Sequence, residues 1–285
     1  MDEESMKTII EETFQKIIND KQIDNIDHEW PQLIRPIYSP LNINNDEDKM
    51  RYSEQEVKIT FIDKLKEFVH LKLNDDCKKV YYSIETPTFD KYNFSKEDIP
   101  FVSPDGESGN IDLSIYSSEK YIENYIEFKY GTASSKKIMK DILKLANEPF
   151  CPKSENESKL EEINNLKDVC SDGKIATLQN KKHYFVHAIN RCTPKTEDAI
   201  KDYYSCNNHG SKPTQQDLNK LKTEIKKILS SSHNTIYVYL LVLNRGNQKP
   251  YQSGYFEFRF DEQVFCSEWE WHKYIKEDGK DKYFE

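Results

Sequence analysis

The run YIENYIEFKYG, residues 121–131, sets Glu127 and Lys129 two residues apart inside an apolar, aromatic stretch. A strand points alternate side chains to opposite faces, so Ile126, Phe128 and Tyr130 share one face while Glu127 and Lys129 share the other. The apolar face has a core to pack against, but the charged face needs a reason. The upstream run GNIDLSI, residues 109–115, supplies one by placing Asp112 after a Gly-Asn turn, between Ile111 and Leu113, which are expected in the core. Two carboxylates and an ammonium at one sheet edge suit a hard divalent cation, since carboxylate oxygens are the ligands magnesium prefers. Such an ion lowers the pKa of a bound water and neutralises a phosphodiester oxygen, and a nearby lysine orients the water and stabilises transition-state charge. The chemistry to expect is phosphodiester hydrolysis.

Outward from this pair of strands, the pattern predicts a helix from 53 to about 73, with Ser53 as N-cap and Glu54 and Glu56 in the first turn. A strand follows at about 79–85, then a loop, DKYNFSKEDIPFVSPDGESG, whose prolines and glycines argue against regular structure. Strands are expected at 110–116 and 121–130, and a helix over SSKKIMKDILKLAN, capped by Ser134 or Ser135 and stopped before Pro149. A short helix is expected in KLEEINNLKDVCSDGK, then a strand at 182–191, helices at about 196–205 and 214–231, and strands in TIYVYLLVLN and YFEFRF. At the N-terminus, Ile9, Ile10, Phe14, Ile17 and Ile18 recur at helical spacing before the prolines of EWPQLIRPIYSPLN break the pattern.

A helix carrying a Glu, three strands with Asp on the second and Glu-x-Lys on the third, then a helix and a fourth strand: this order resembles the PD-(D/E)XK nuclease superfamily over residues 53–191. Asp112 matches the motif aspartate and Glu127-Phe128-Lys129 the (D/E)XK element, although Ile111 stands where the motif has proline. The resemblance implies an α/β fold, a restriction-endonuclease-like mixed sheet flanked by helices, with a helical N-terminal arm (1–52), the nuclease core (53–191) and a C-terminal α/β extension (192–285) on the same domain. It also implies a magnesium-dependent nuclease, with manganese as a substitute, in which Asp112 and Glu127 bind the metal, Lys129 is the catalytic lysine and the Phe128 carbonyl adds a ligand.

Helix phase tests the first-turn acids. At about 100° per residue, Val57, Phe61, Leu65 and Phe68 fall on one stripe with Glu54, whereas Glu56 points nearly opposite and is expected to face solvent. A carboxylate on an apolar stripe is either a helix-dipole partner or an active-site acid, and the resemblance favours Glu54 as a further metal ligand. In the helix after the EFK run, Ile138, Ile142 and Leu145 define the buried stripe and Asp141 its edge, within reach of Lys129 or else solvated. Lys136, Lys137, Lys140 and Lys144 are either a solvated face or a phosphate-binding one, and Lys136, Lys137 and Lys140 are the nucleic-acid contacts to expect. His183 and His187 read as satisfied core histidines before metal ligands, and Trp269 and Trp271 as packing residues.

Composition narrows the setting. The chain of 285 residues has 36% hydrophobic and 32% charged content, yet 18 Tyr and 14 Phe supply a core that a disordered chain lacks. A net charge of -9 argues against coating nucleic acid through bulk electrostatics, so any such contact must be local. The longest apolar run is too short for a membrane span, the start MDEESMKTII lacks a signal peptide's basic segment, and the six cysteines form no CxxC pair, so a cytoplasmic protein with reduced thiols is expected. Cys192, Cys206 and His209 lack a fourth zinc ligand at proper spacing. Expected partners are nucleic acid, DNA before RNA, a protein that activates or restrains the enzyme, as in bacterial antiviral defence, and a second copy of the chain. The alternative is a non-catalytic module that keeps the fold and binds nucleic acid or protein.

Overall fold

The structure is a computed structural model that describes residues 1–22, 37–38, 50–51, 53–72, 80–94, 100–118, 121–131, 133–148, 182–207, 214–247, 251–275 and 283–285. In chain order its elements are α1 (Glu3–Gln22), β1 (Ile37–Tyr38), β2 (Met50–Arg51), α2 (Glu54–Lys72), β3 (Tyr81–Asn93), β4 (Phe101–Val102), β5 (Glu107–Ser118), β6 (Tyr121–Tyr130) and α3 (Ser135–Asn147). There follow β7 (Lys182–Cys192), α4 (Pro194–Tyr204), α5 (Gln215–Ser232), β8 (Thr235–Arg245), β9 (Gln252–Phe260), β10 (Glu270–Ile275) and β11 (Tyr283–Phe284). Nine strands form one sheet in the order β11-β10-β9-β8-β7-β6-β5-β3-β4, and β1 and β2 pair separately. Only β6–β7 and β7–β8 are parallel, so the sheet is mixed.

The parallel strands lie at the centre and are covered on both faces, which explains their near-continuous apolar sequences. On one face Ile126, Phe128, Tyr184, Val186, Tyr239 and Leu241 pack under α1 and α2, whose Ile10, Phe14, Val57 and Phe61 complete a core. Phe61 meets Phe128 edge-on, with ring centroids 5.4 Å apart. On the other face Phe185, Ile189, Val238 and Leu240 pack under α3, α4 and α5 through Ile138, Ile142, Ile200, Leu218 and Ile225. Each such side chain contributes about 1.5–3 kcal/mol by leaving water. The TIYVYLLVL run is thus β8, one of the three parallel strands at the centre of the sheet, and no helix among the described residues is long and apolar enough to cross a membrane.

The stretch read as an irregular loop is partly regular. β3 extends to Asn93, β4 pairs with its end, and β5 begins at Glu107. Pro100 immediately precedes β4, Pro104 and Gly106 fall in the turn before β5, and the β3–β5 ladder continues past a register shift between Pro87 and Lys91. The short helix expected in KLEEINNLKDVCSDGK lies outside the described residues.

Candidate active site

The β5–β6 ladder runs from Ser118–Tyr121 to Leu113–Ile126, and the site begins where it ends. Beyond Ile126, the Phe128 amide donates across to β5 through a side chain, Asp112 Oδ2, at 2.8 Å. The other oxygen, Asp112 Oδ1, accepts from Lys58 Nζ at 2.9 Å, and Lys58 also reaches Glu85 at 2.6 Å. Asp112 is therefore clamped from both sides. Burial raises its pKa, but the Phe128 amide and Lys58 outweigh that and hold the carboxyl below the usual range.

Glu127 and Lys129 point to the α3 side of the sheet, as their alternation requires. Glu127 is buried and pairs with Lys144 of α3. Burial pushes its carboxyl well above the usual range, Lys144 opposes this, and the carboxylates of Asp141 and Asp112 add to it. Lys129 lies 2.9 Å from Asp141 Oδ2 and 3.5 Å from Glu54 Oε2. Burial alone would lower the Lys129 pKa, but Asp141 and Glu54 raise it above the usual value, so the ammonium is held charged. Glu54, at the start of α2, is half-buried, and its own pKa is raised by burial against the pull of Lys129.

Glu54, Asp112, Glu127 and Lys129 thus come from three elements into one cluster, and Asp141 joins it through Lys129. Three members were not anticipated. Lys58 lies one helical turn after Glu54, a spacing that puts both on the same face of α2. Lys144 had been placed on a basic outer face, but it is 5% exposed and locked to Glu127 and Asp141. Its i,i+3 spacing from Asp141 was the available signal. Glu85 sits in β3 with a left-handed backbone, φ +55°, between the register pairs Ile84–Leu113 and Thr86–Ile111. A non-glycine residue in that region is strained, and here the strain accompanies the delivery of a carboxylate to Lys58.

Glu56 does not face solvent. It is 8% exposed, its carboxylate accepts from the Ser53 amide at 2.5 Å, and its own amide donates to Ser53 Oγ at 3.3 Å. This is a capping box, and the spacing Ser-x-x-Glu at 53–56 was its signature.

Of the outer lysines of α3, Lys137 is exposed, Lys136 is half-buried, and Lys140 lies 4.0 Å over the Phe94 ring. Burial and the neighbouring Lys144 lower the Lys140 pKa. His187 is a core residue. Its Nε2 lies 2.7 Å from the Gly131 carbonyl, which can only accept, so Nε2 carries the proton and Nδ1 accepts from the Tyr204 hydroxyl at 2.7 Å. His183 is buried likewise, its Nδ1 accepting from the Tyr125 amide at 3.2 Å. Trp269 stacks on Phe258 with centroids 4.1 Å apart, a packing role. Cys192 and Cys206 are buried free thiols whose pKa burial raises to about 11 and about 12, while His209 lies outside the described residues.

The donors at the cluster are oxygens, the chemistry that suits a hard divalent cation. Among the described residues, however, no three His, Cys, Asp or Glu side chains stand together as a ligand set. The ammoniums explain this: Lys58 covers Asp112 Oδ1 and Lys144 covers Glu127 Oε1, so an entering cation has to share or displace them. Compared with protein-family models, curated proteins and solved structures, the chain matches none.

Proposed function

We propose that the protein is a divalent-cation-dependent nuclease of the PD-(D/E)XK type that hydrolyses phosphodiester bonds, with DNA favoured over RNA. The observation that carries this reading is the convergence of Glu54, Asp112, Glu127 and Lys129, which lie up to 75 residues apart in sequence, around one ion-paired cluster. The order α2, β3, β5, β6, α3, β7, with three antiparallel strands followed by a helix and a strand parallel to the third, supports it.

Asp112 and Glu127 would hold Mg2+ or Mn2+, with Glu54 at the edge of the site. When bound, the ion acidifies a water and neutralises a phosphodiester oxygen. The residues themselves do the rest. The Phe128 amide and Lys58 fix the rotamer of Asp112. Asp141 and Glu54 hold the Lys129 ammonium charged and facing the carboxylates, where it orients the nucleophile and stabilises developing negative charge. Lys136 and Lys137, in the first turn of the helix that carries Asp141 and Lys144, would offer charge to the phosphate backbone.

The test incubates plasmid, linear DNA and RNA with Mg2+ or Mn2+, with and without chelator. Cleavage is expected only with the metal and is abolished by Glu127→Gln and by Lys129→Ala. Cleavage indifferent to chelator, or surviving in both variants, overturns the proposal. One observation favours a second reading, a non-catalytic module: the lysines already satisfy the carboxylates as an internal ion-pair network. In that case nucleic acid or a protein binds without metal, and Glu127→Gln leaves binding unchanged.

A further inference from the structure

Lys144 is buried, and each of its N–H groups has an acceptor within the cluster or beside it. An ammonium has three N–H groups and no acceptor. Those of Lys144 meet Glu127 Oε1, Asp141 Oδ1 at 3.2 Å and the Asn110 carbonyl at 2.8 Å. The backbone beside it is built to admit its stem: a Cβ on Gly109 would lie 3.3 Å from Lys144 Cδ and 3.2 Å from the Phe94 ring. A lysine so saturated and so enclosed cannot reach out to a substrate phosphate. What remains is its charge.

The charges of the cluster show what that does. Glu54, Glu85, Asp112, Glu127 and Asp141 face Lys58, Lys129 and Lys144; with every one of these ion-paired groups ionised, five carboxylates against three ammoniums leave two net negative charges. One divalent cation neutralises the cluster, and two would leave it as positive as it is now negative. Lys144 also occupies the Glu127 oxygen and the Asp141 carboxylate that a second ion would need.

We propose that the Lys144 ammonium takes the place of a second divalent cation, so that the site accepts one Mg2+ or Mn2+ per chain. The inference rests on the reading of the cluster as a cation-dependent phosphodiesterase site. Its consequence is a trade: removing the ammonium strengthens and enlarges cation uptake, because like charges at this range in a poorly screened site repel strongly.

The test is Mn2+ binding to the full chain, followed by calorimetry and by the paramagnetic signal of free Mn2+. The wild type should take one equivalent. Lys144→Met should bind at least about tenfold more tightly and take a second equivalent, whereas Lys144→Arg, which keeps the charge, should stay at one. Because removing one partner of a buried ion pair destabilises the fold, Mn2+ should raise the melting temperature of Lys144→Met more than that of the wild type. Glu127→Gln with Lys144→Met removes both charges together, should fold without metal, and should lose the gain in affinity. Two equivalents in the wild type overturn the proposal, a result that needs no variant to fold. An affinity and stoichiometry unchanged in Lys144→Met overturn it equally, and leave the cation-dependent reading standing. Absence of Mn2+ uptake by every form sinks that reading and this inference together.

Discussion

At the scale of single residues, Glu54 and Glu56 are chemically alike and two positions apart, yet they face different demands. Glu54 reaches Lys129 across the mouth of the site, and Glu56 closes a capping box on Ser53. Glu54→Gln is therefore expected to weaken Mn2+ binding or cleavage at least about tenfold, about 1.4 kcal/mol, with little change in stability. Glu56→Ala should lower the unfolding free energy in urea by about 1 kcal/mol, the usual cost of a lost cap, and leave Mn2+ affinity near the wild-type value. Equal effects of the two on Mn2+ affinity would place Glu54 outside the site.

At the scale of elements, His187 ties three of them together. It sits on β7, bonds the Gly131 carbonyl at the end of β6, and accepts from Tyr204 at the end of α4. Gly131 has φ +76°, a conformation suited to glycine, which turns its carbonyl toward the ring. Burial lowers the His187 pKa to about 4 from its ordinary 6.5; the Gly131 contact opposes this and the charge of Lys129 adds to it. The neutral ring is the folded form, so between pH 6.5 and 4 the unfolded chain binds the extra proton and stability falls as pH falls. From pH 6 to pH 5 this residue alone should cost about 1 kcal/mol. His187→Gln should be less stable at pH 7 but should lose less on acidification. Parallel stability-versus-pH curves for the two proteins would show that His187 titrates normally in the fold.

At the scale of the whole molecule, the sheet separates two cores, one under α1 and α2 and the other under α3, α4 and α5. α1 belongs to the first: Phe14 is fully buried, its ring 5.7 Å from that of Tyr255 on β9. Because β7 and β8 contribute side chains to both cores, the loss of one core loosens the strands that frame the other. Phe14→Ala should cost about 3–5 kcal/mol. In a Trp30→Phe background, where Trp269 and Trp271 report from the opposite face, their fluorescence transition in urea should move to lower concentration by the same free energy. A transition that stays in place would show that the two faces unfold independently.

The strand alternation of residues 121–131 was legible because period-two placement is a local property of the chain, and it put Glu127 and Lys129 on one face without any tertiary information. The same holds for Val57 and Phe61 on one buried stripe of α2, for the helix bounds at Ser134 and Asn147, and for most strands, whereas the phase did not separate Glu54 from the buried Glu56. Lys144 was not legible, because helical phase reads a lysine outside the apolar stripe as solvated, whereas Glu127, Asp141 and the Asn110 carbonyl cover it. Glu85 was hidden for a related reason: a left-handed residue inside β3 breaks the alternation that would have predicted its direction. Lys58 required a partner 54 residues away to make sense of its burial. The sequence by itself determined that Glu127 and Lys129 share a strand face and where most of the described helices and strands lie, since these follow from backbone periodicity. Only the tertiary structure decided which cations neutralise the acids of the cluster, because an ion pair depends on distances through space that no local pattern encodes.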